Sequence, residues 1–283
     1  MLRNIVALKR VLYDALGHFN DDDGWSMASH LAISALMALF PFLIFATTLA
    51  SFLGANAFAE TAVHLVFDTW PEQIAAPISR EVVNVLTVQR GDLLTYGALL
   101  AGFFASNGVE ALRTSLNRAY RVTETRGIIW RRLQSLLFVI IATIGFVVIS
   151  LLIVFAPIVL RFLAQFEAIR PYLGTLLVWR YMIASTVIVL GLVAVHFWLP
   201  AGRRKFKQIV PGLIFTLIGW LVGSTVFAEY LDRFSSYVTT YAGLASIMIA
   251  VVFLYIVSMV FILGGELNAA ISRYLEARAR VPG

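Results

Sequence analysis

The sequence of 283 residues contains no cysteine and only four histidines. The lack of cysteine excludes a disulfide framework, a thiolate nucleophile and any metal site that uses cysteine ligands. Charged residues are also scarce: they make up 13% of the chain, whereas about one quarter is typical of a soluble domain. So little charge cannot cover a water-soluble surface of this length, and 60% of the residues are hydrophobic. The composition indicates an integral membrane protein.

Six apolar stretches are long enough, or nearly so, to cross a bilayer core of about 30 Å. They are continuously apolar rather than alternating, which favours helices over the strands of a membrane barrel. The stretches are Leu31–Leu53, Leu93–Val109, Leu133–Leu160, Leu176–Leu199, Val210–Phe227 and Leu244–Leu263. The third should tilt or break near Pro157. We expect an all-α, polytopic membrane protein with about six transmembrane helices and additional interfacial helices.

No linker rich in Pro, Gly or Ser divides the chain, so we expect a single domain. Residues 1–28 carry apolar side chains at helical spacing and predict a cytoplasmic amphipathic helix on the membrane surface. Asp21-Asp22-Asp23 should end this helix, either as a solvated capping turn or as part of a cation site; the turn is favoured because no further ligands accompany it. Residues 29–270 then form the six-span bundle, and residues 271–283 form a cytoplasmic tail.

Basic residues are divided unequally between the two ends of the predicted spans. Of the 22 Lys and Arg residues, 16 fall with the two termini and the connections after spans two and four, and five fall on the other side. By the positive-inside rule, both termini are cytoplasmic. The outward segments are then Asn56–Arg90, where one or two amphipathic helices are expected, and the shorter, aromatic segments Glu167–Tyr172 and Tyr230–Tyr241.

The net charge of +6 therefore reflects topology and contact with anionic lipid rather than nucleic-acid binding. Four arginines after span two are the candidate contacts for anionic headgroups: Arg113, Arg118, Arg121 and Arg126. The GxxxG motif of Gly219 and Gly223 permits close helix packing, within the bundle or between protomers of a homo-oligomer. Packing within the bundle is favoured because six helices offer many internal contacts.

Polar residues near the cytoplasmic ends of spans two and six form a second candidate site. Asn107 and Glu110 share one helical face, and Glu266 and Asn268 follow Gly264-Gly265 directly. Unpaired acids at membrane depth are costly and normally face a wet cavity or a partner. We expect these four residues to border a polar cavity, with a kink at Pro41 in span one shaping its wall.

The sequence leaves a second interpretation of the same acids open. Arg113 lies one helical turn after Glu110 and could neutralise it or Glu266, which would make the cluster a structural clamp.

Motifs of enzymes and nucleotide-binding proteins are absent from the sequence. There is no P-loop, no G-x-S-x-G, no G-x-G-x-x-G and no H-E-x-x-H, and no histidines and carboxylates cluster as a hydrolytic metal site would require. We predict neither a cofactor nor a metal, and no enzymatic activity.

Several short motifs, in order, resemble those of the YihY/BrkB family of bacterial inner-membrane proteins. They are Leu39-Phe40-Pro41, Ser115-Leu116-Asn117-Arg118-Ala119-Tyr120-Arg121, Leu199-Pro200, Val210-Pro211-Gly212, Tyr241-Ala242-Gly243-Leu244-Ala245 and Leu263-Gly264-Gly265-Glu266-Leu267-Asn268. The resemblance implies a six-span inner-membrane protein with cytoplasmic termini and a link to envelope integrity and virulence. Members also carry the older label ribonuclease BN, which the residues above do not support.

Two functional classes follow for a protein of this kind. The first is a transporter or flippase for an envelope lipid or another amphiphilic solute, which the membrane-depth acids and small residues favour. The second is a structural or accessory protein that supports the envelope without moving a substrate. A cavity large enough for a lipid would favour the first class, and a closed bundle would favour the second.

Overall fold

The computed structural model describes residues 2–52, 91–152, 160, 165–166, 172–233 and 242–279. These residues form seven α-helices and no strand, which confirms the all-α prediction. The helices are α1 (Leu2–Asp21), α2 (Gly24–Phe52), α3 (Gly91–Ala119), α4 (Ile128–Ser150), α5 (Leu173–Trp198), α6 (Phe206–Arg233) and α7 (Ala242–Ala279). The predicted segment Asn56–Arg90, the break near Pro157 and most of Glu167–Tyr172 and Tyr230–Tyr241 lie outside the described residues.

Four of these helices are long and apolar enough to cross a membrane. The qualifying segments have mean hydropathies between 1.9 and 2.8, and they are Ile128–Ile149, Leu173–Trp198, Phe206–Leu231 and Ile247–Ala279. They coincide with the third to sixth predicted spans. The first two predicted spans fall in α2 and α3, where the described part of α2 contributes a shorter apolar helix, Gly24–Leu39. Two of the six spans thus remain predictions.

The helices α4 and α5 pack against each other and expose apolar side chains along most of their length. At one contact, a methyl group added at Gly145 would lie 3.3 Å from Val187 Cγ1. The exposed apolar residues include Leu133, Leu137, Ile140 and Ile144 on α4, and Val178, Trp179, Met182 and Leu190 on α5. An apolar surface of this extent is costly in water and suits the hydrocarbon of a bilayer.

The chain divides into two compact units whose boundaries fall within helices. Unit 1 comprises Met1–Ala28, Val109–Val222 and Met259–Gly283, and unit 2 comprises Ser29–Gly108 and Gly223–Ser258. In unit 2, Gly223 faces Ile256 and the rings of Phe227 and Phe253 lie 5.6 Å apart, so the second half of α6 packs on the first half of α7. Pro41 lies inside α2, with a buried side chain.

In unit 1, the amphipathic helix α1 packs against the last helix. Val11 and Ala15 are buried together with Ala270 of α7, and Arg273 of α7 donates to Asp14 Oδ2 at 2.9 Å. The helix ends at Asp21, as predicted, and Asp23 adopts a positive φ of 55° in the turn that follows. The prediction placed the apolar face of α1 on the membrane; the structure shows that part of this face is covered by α7.

The helices α6 and α7 approach each other through two glycines of unit 1. A methyl group at Gly212 would overlap the carbonyl oxygen of Gly264, and one at Gly264 would overlap Thr216 Oγ1. One helical turn further along, Gly219 faces Val260 in the same way. The GxxxG glycines, Gly219 and Gly223, therefore both face α7 of the same chain rather than a free surface.

Candidate functional site

A buried arginine joins the end of α3 to the start of α4. The side chain of Arg113 is only 1% exposed, and its Nη1 donates to the carboxylate of Glu110. Its Nη2 lies 3.1 Å from Ser135 Oγ and 3.2 Å from Gln134 Oε1, and Ser135 Oγ in turn donates to Glu110 at 3.0 Å. We call these four residues the Arg113 clamp. A buried charge needs such compensation, and Arg113 has no surface left for a lipid headgroup, contrary to its predicted role.

The next two predicted lipid contacts reach the turn between α1 and α2. Arg118 donates to the carbonyl oxygen of Asp22 at 3.0 Å and lies 3.8 Å from Asp23 Oδ2. Arg121 Nη2 lies 3.6 Å from Asp22 Oδ2 and 2.6 Å from His18 Nδ1. Both arginines are nearly half exposed. Asp22 and Asp23 of the aspartate run therefore pair with arginines, and within the described ranges no group of three or more His, Cys, Asp or Glu is placed to hold a metal ion.

Arg126, the fourth predicted lipid contact, binds Glu124 and a carbonyl group at the end of α5. Its Nε and Nη2 contact the two carboxylate oxygens of Glu124 at 2.7 and 2.6 Å, and Nη2 also donates to the carbonyl of Leu199 at 2.8 Å. This bidentate contact lowers the pKa of Glu124 to about 2. Asn117 donates to Glu124 at 3.1 Å and accepts the N–H of Ala201 at 2.7 Å. The segments that follow α3 and α5 are thus held together by polar contacts.

A second buried network surrounds Asn268 on α7. Its Oδ1 accepts the N–H of Gly212 at 2.6 Å, and its Nδ2 donates to the hydroxyl of Tyr120 at 3.1 Å. That hydroxyl lies 3.3 Å from His196 Nδ1, and the guanidinium carbon of Arg204 lies 3.9 Å from the Tyr120 ring centroid. Burial raises the pKa of Tyr120, so its hydroxyl stays protonated. Asn268 therefore connects α7 to α6 and to the end of α3.

Glu266 lies two residues before Asn268 and differs from every acid described so far. Its side chain is fully buried, and neither carboxylate oxygen has a hydrogen-bond partner in the described part of the chain. The neighbouring Gly265 packs close to Leu116 and Ala119 of α3. Glu110 is neutralised by Arg113, whereas no described residue neutralises Glu266 in this way.

The structure places the predicted cavity residues in two different units. Glu110, Glu266 and Asn268 lie in unit 1, whereas Asn107 and Pro41 lie in unit 2. Unit 1 contains a cavity of about 400 Å³ between α1 and α7 and another of about 430 Å³ next to the α5–α6 connection. Neither cavity is lined by Glu110 or Glu266. A shared polar cavity of all the predicted residues stays a prediction.

Sequence reasoning missed the partners that complete these networks. Gln134 and Ser135 interrupt the apolar start of α4, which is a signal that two polar groups in a span need a partner. Tyr120 and Arg204 carried no comparable signal, because an aromatic residue and an arginine are ordinary at the end of a membrane span.

The fold and these networks define a polytopic α-helical membrane protein with buried polar groups near the ends of its helices. The family model of the virulence factor BrkB matches residues 15–282, and the chain belongs to this family.

Relatives of similar length match along nearly the whole chain. The putative ribonuclease-like protein YfkH of Bacillus subtilis is 29% identical over 272 residues, which is 96% of this chain and 97% of the relative. A UPF0761 membrane protein of Alteromonas mediterranea is 23% identical over 270 residues, covering 94% and 90% of the two chains. One from Coxiella burnetii is 26% identical over 264 residues, covering 90% of each. No solved structure matches.

Proposed function

We propose that the protein moves an amphiphilic substrate, such as an envelope lipid, across the bacterial inner membrane, without enzymatic activity and with both termini in the cytoplasm. The observation that carries the proposal is the buried carboxyl group of Glu266, which has no hydrogen-bond partner among the described residues and lies in a helix that qualifies as a membrane span. Ionisable groups inside membrane helices are costly, and they commonly mark the path of a substrate or ion. The resemblance to envelope-integrity proteins supports a lipid as the substrate.

The contrast between the two acids of unit 1 supports this assignment. Glu110 is satisfied by Arg113 and Ser135, so its burial is explained by structure alone. Glu266 receives no hydrogen bond from the described residues, and its carboxyl group is free to bind a polar ligand or a proton when the helices move. Gly264 and Gly265 beside it add no side-chain bulk, and they let the neighbouring helices pack directly against α7.

The test is lipid movement in vesicles of phosphatidylethanolamine and phosphatidylglycerol that contain the purified full chain. A fluorescent phospholipid is introduced into both leaflets, and its appearance at the outer surface is followed by chemical quenching. The native chain should accelerate this movement over protein-free vesicles. Glu266→Gln keeps the size of the side chain but removes its charge, and it should abolish the acceleration without lowering the melting temperature.

The matched control is Glu276→Gln, the same change at an exposed position of the same helix. It should leave lipid movement unchanged. Movement no faster than in protein-free vesicles, for labelled phosphatidylethanolamine and phosphatidylglycerol alike, would contradict the transport proposal.

One observation favours the alternative of a protein that supports the envelope without moving a substrate. The Arg113 clamp joins α3 to α4, and the contact of Gly212 with Gly264 joins α6 to α7, which suits a static bundle. In that case Glu266→Gln would change stability rather than lipid movement.

A further inference from the structure

A cavity of about 430 Å³ lies beside the connection between two candidate spans, α5 and α6. We call it the α5–α6 pocket. Its lining combines arginines with aromatic side chains, including Arg126, Phe197, Trp198, Arg203 and Arg204. None of these residues belongs to the proposed transport site around Glu266, and all of them lie in unit 1.

The pocket carries more positive charge than the protein neutralises. Of its three arginines, Arg126 is bound by Glu124 on both carboxylate oxygens. Arg204 has no carboxylate within ion-pair distance among the described residues; it donates to the carbonyl of Ala201 at 2.8 Å and stacks on Tyr120. Its Nη1 is buried without a hydrogen-bond partner in that part of the chain. Partial burial without a counter-ion lowers the pKa of Arg204.

Arg203, the residue before Arg204, is exposed and likewise has no ion pair with a described carboxylate. The positive charge of Arg126 acts unfavourably on Arg204, and a bound anion would relieve the repulsion between these guanidinium groups. A phosphoryl group suits them best, because guanidinium groups bind its oxygens through charge-assisted hydrogen bonds.

The apolar part of the lining distinguishes a lipid from a free anion. Trp198 is 61% exposed and is the last residue of α5, where a span meets the membrane surface. Tryptophan is enriched at this level because its ring contacts both the headgroups and the first part of the acyl chains. Inorganic phosphate would leave Phe197 and Trp198 without a role, whereas a phospholipid would use the arginines and the aromatic rings together.

The pocket is preformed by contacts that hold its backbone. Gln134 donates to the carbonyl of Trp198 at 2.7 Å, Arg126 donates to that of Leu199, and Asn117 accepts the N–H of Ala201. Gly202 then turns the chain with a φ of 84°, which side-chain-bearing residues rarely adopt. A preformed site loses little conformational entropy when its ligand binds.

We infer that the α5–α6 pocket binds the phosphoryl headgroup of an anionic phospholipid through Arg203 and Arg204. This inference is independent of transport, because a lipid held at this pocket would bind equally well to a protein that moves nothing.

The test measures binding of phosphatidylglycerol to the full chain in a neutral detergent, with zwitterionic phosphatidylcholine, which has no net charge, as the comparison. The double variant Arg203→Gln/Arg204→Gln should bind phosphatidylglycerol about 25-fold more weakly, or about fivefold for each arginine. Its control is Lys205→Gln/Lys207→Gln, which removes the same charge from exposed positions of the same segment outside the pocket. This control should change the affinity less than about twofold.

Two further variants keep the result interpretable if Arg204, which stacks on Tyr120, is needed for folding. Arg203→Gln alone removes an exposed side chain and should still weaken binding about fivefold. Trp198→Ala should weaken binding of phosphatidylglycerol without changing any binding of inorganic phosphate.

Three results would overturn the inference. Equal losses in the arginine and lysine variants would show a general effect of surface charge, and equal affinity for phosphatidylcholine would show that the pocket does not select a headgroup of net negative charge. Displacement of phosphatidylglycerol by an equal concentration of inorganic phosphate would show that the pocket binds free phosphate rather than a lipid. Each result leaves the Glu266 transport experiment unaffected.

Discussion

Asn268 Oδ1 on α7 accepts the backbone N–H of Gly212 on α6 at a distance of 2.6 Å. The side chain of Asn268 can reach this N–H because Gly212 and Gly264 let the two helices touch. Pro211, just before Gly212, lacks an N–H and disturbs the regular helical hydrogen bonds at this point. The contact therefore depends on glycine at both crossing positions.

We expect Gly264→Ala to destabilise the protein, because the new methyl group would overlap Thr216 Oγ1 and the backbone of Gly212. Overpacking of this kind costs about 1–3 kcal/mol. The measurement is thermal unfolding in detergent. The control is Gly191→Ala on α5, where nothing lies within 4 Å of the new methyl group. A melting temperature of Gly264→Ala equal to that of the control would contradict the close crossing.

We expect the Arg113 clamp to stabilise the folded protein. Glu110→Ala leaves the buried guanidinium group of Arg113 without its carboxylate, a change that costs about 3 kcal/mol. The double variant Glu110→Ala/Arg113→Met should lose less stability than the sum of the two single changes. Additive losses in detergent unfolding would show that the two side chains do not act as a pair.

The Glu124–Arg126 pair predicts a dependence of stability on pH. The folded protein holds the pKa of Glu124 at about 2, below its ordinary value of 4.5. A lowered carboxyl pKa contributes stability that is fully present above about pH 4.5 and is lost as the pH falls towards 2. The melting-temperature difference between the native chain and Glu124→Gln should thus stay constant from pH 7 to 5 and narrow below pH 4.5. A melting-temperature difference that stays constant down to pH 3 would rule out the lowered pKa of Glu124 in the folded protein.

The predicted orientation is testable because the chain has no cysteine of its own. Tyr172 and Lys205 are exposed and lie beyond opposite ends of α5. In intact cells, an impermeant thiol reagent should label Tyr172→Cys but not Lys205→Cys, which should react only after the membrane is opened. Lys205→Cys reactive in intact cells would reverse the charge-based topology.

The helical segments could be predicted from the sequence because their signals are local. Continuous apolar runs gave the positions of α4 to α7, and Asp21 marked the end of α1. The predicted spans in α3, α6 and α7 are shorter than the helices, because polar turns, such as residues 113–119 of α3, continue a helix without being apolar. Hydropathy measures the free energy of transferring side chains into hydrocarbon. It does not indicate where the backbone hydrogen bonds of a helix end.

The pairings of the polar side chains could be predicted only where the partners are close in sequence. The contact of Glu110 with Arg113 spans three residues, so helical spacing anticipated it as one of two alternatives. Asn268 contacts Tyr120, 148 residues away in the sequence, and Arg126 contacts Leu199, 73 residues away. No local sequence pattern specifies such contacts. The four arginines after the second predicted span were assigned to lipid on charge alone, whereas the structure shows that Arg113 is buried and that the other three contact protein groups.

The contact between α1 and α7 joins two helices that lie far apart in the chain. Val11 and Ala15 are covered by Ala270, and Asp14 pairs with Arg273, 259 residues later in the chain. During synthesis, α1 leaves the ribosome long before its partner exists, and its amphipathic face must be sheltered meanwhile by the membrane surface or a chaperone. The docking of α1 can occur only after α7 has been inserted, so it must wait until all the helices between them have been synthesised.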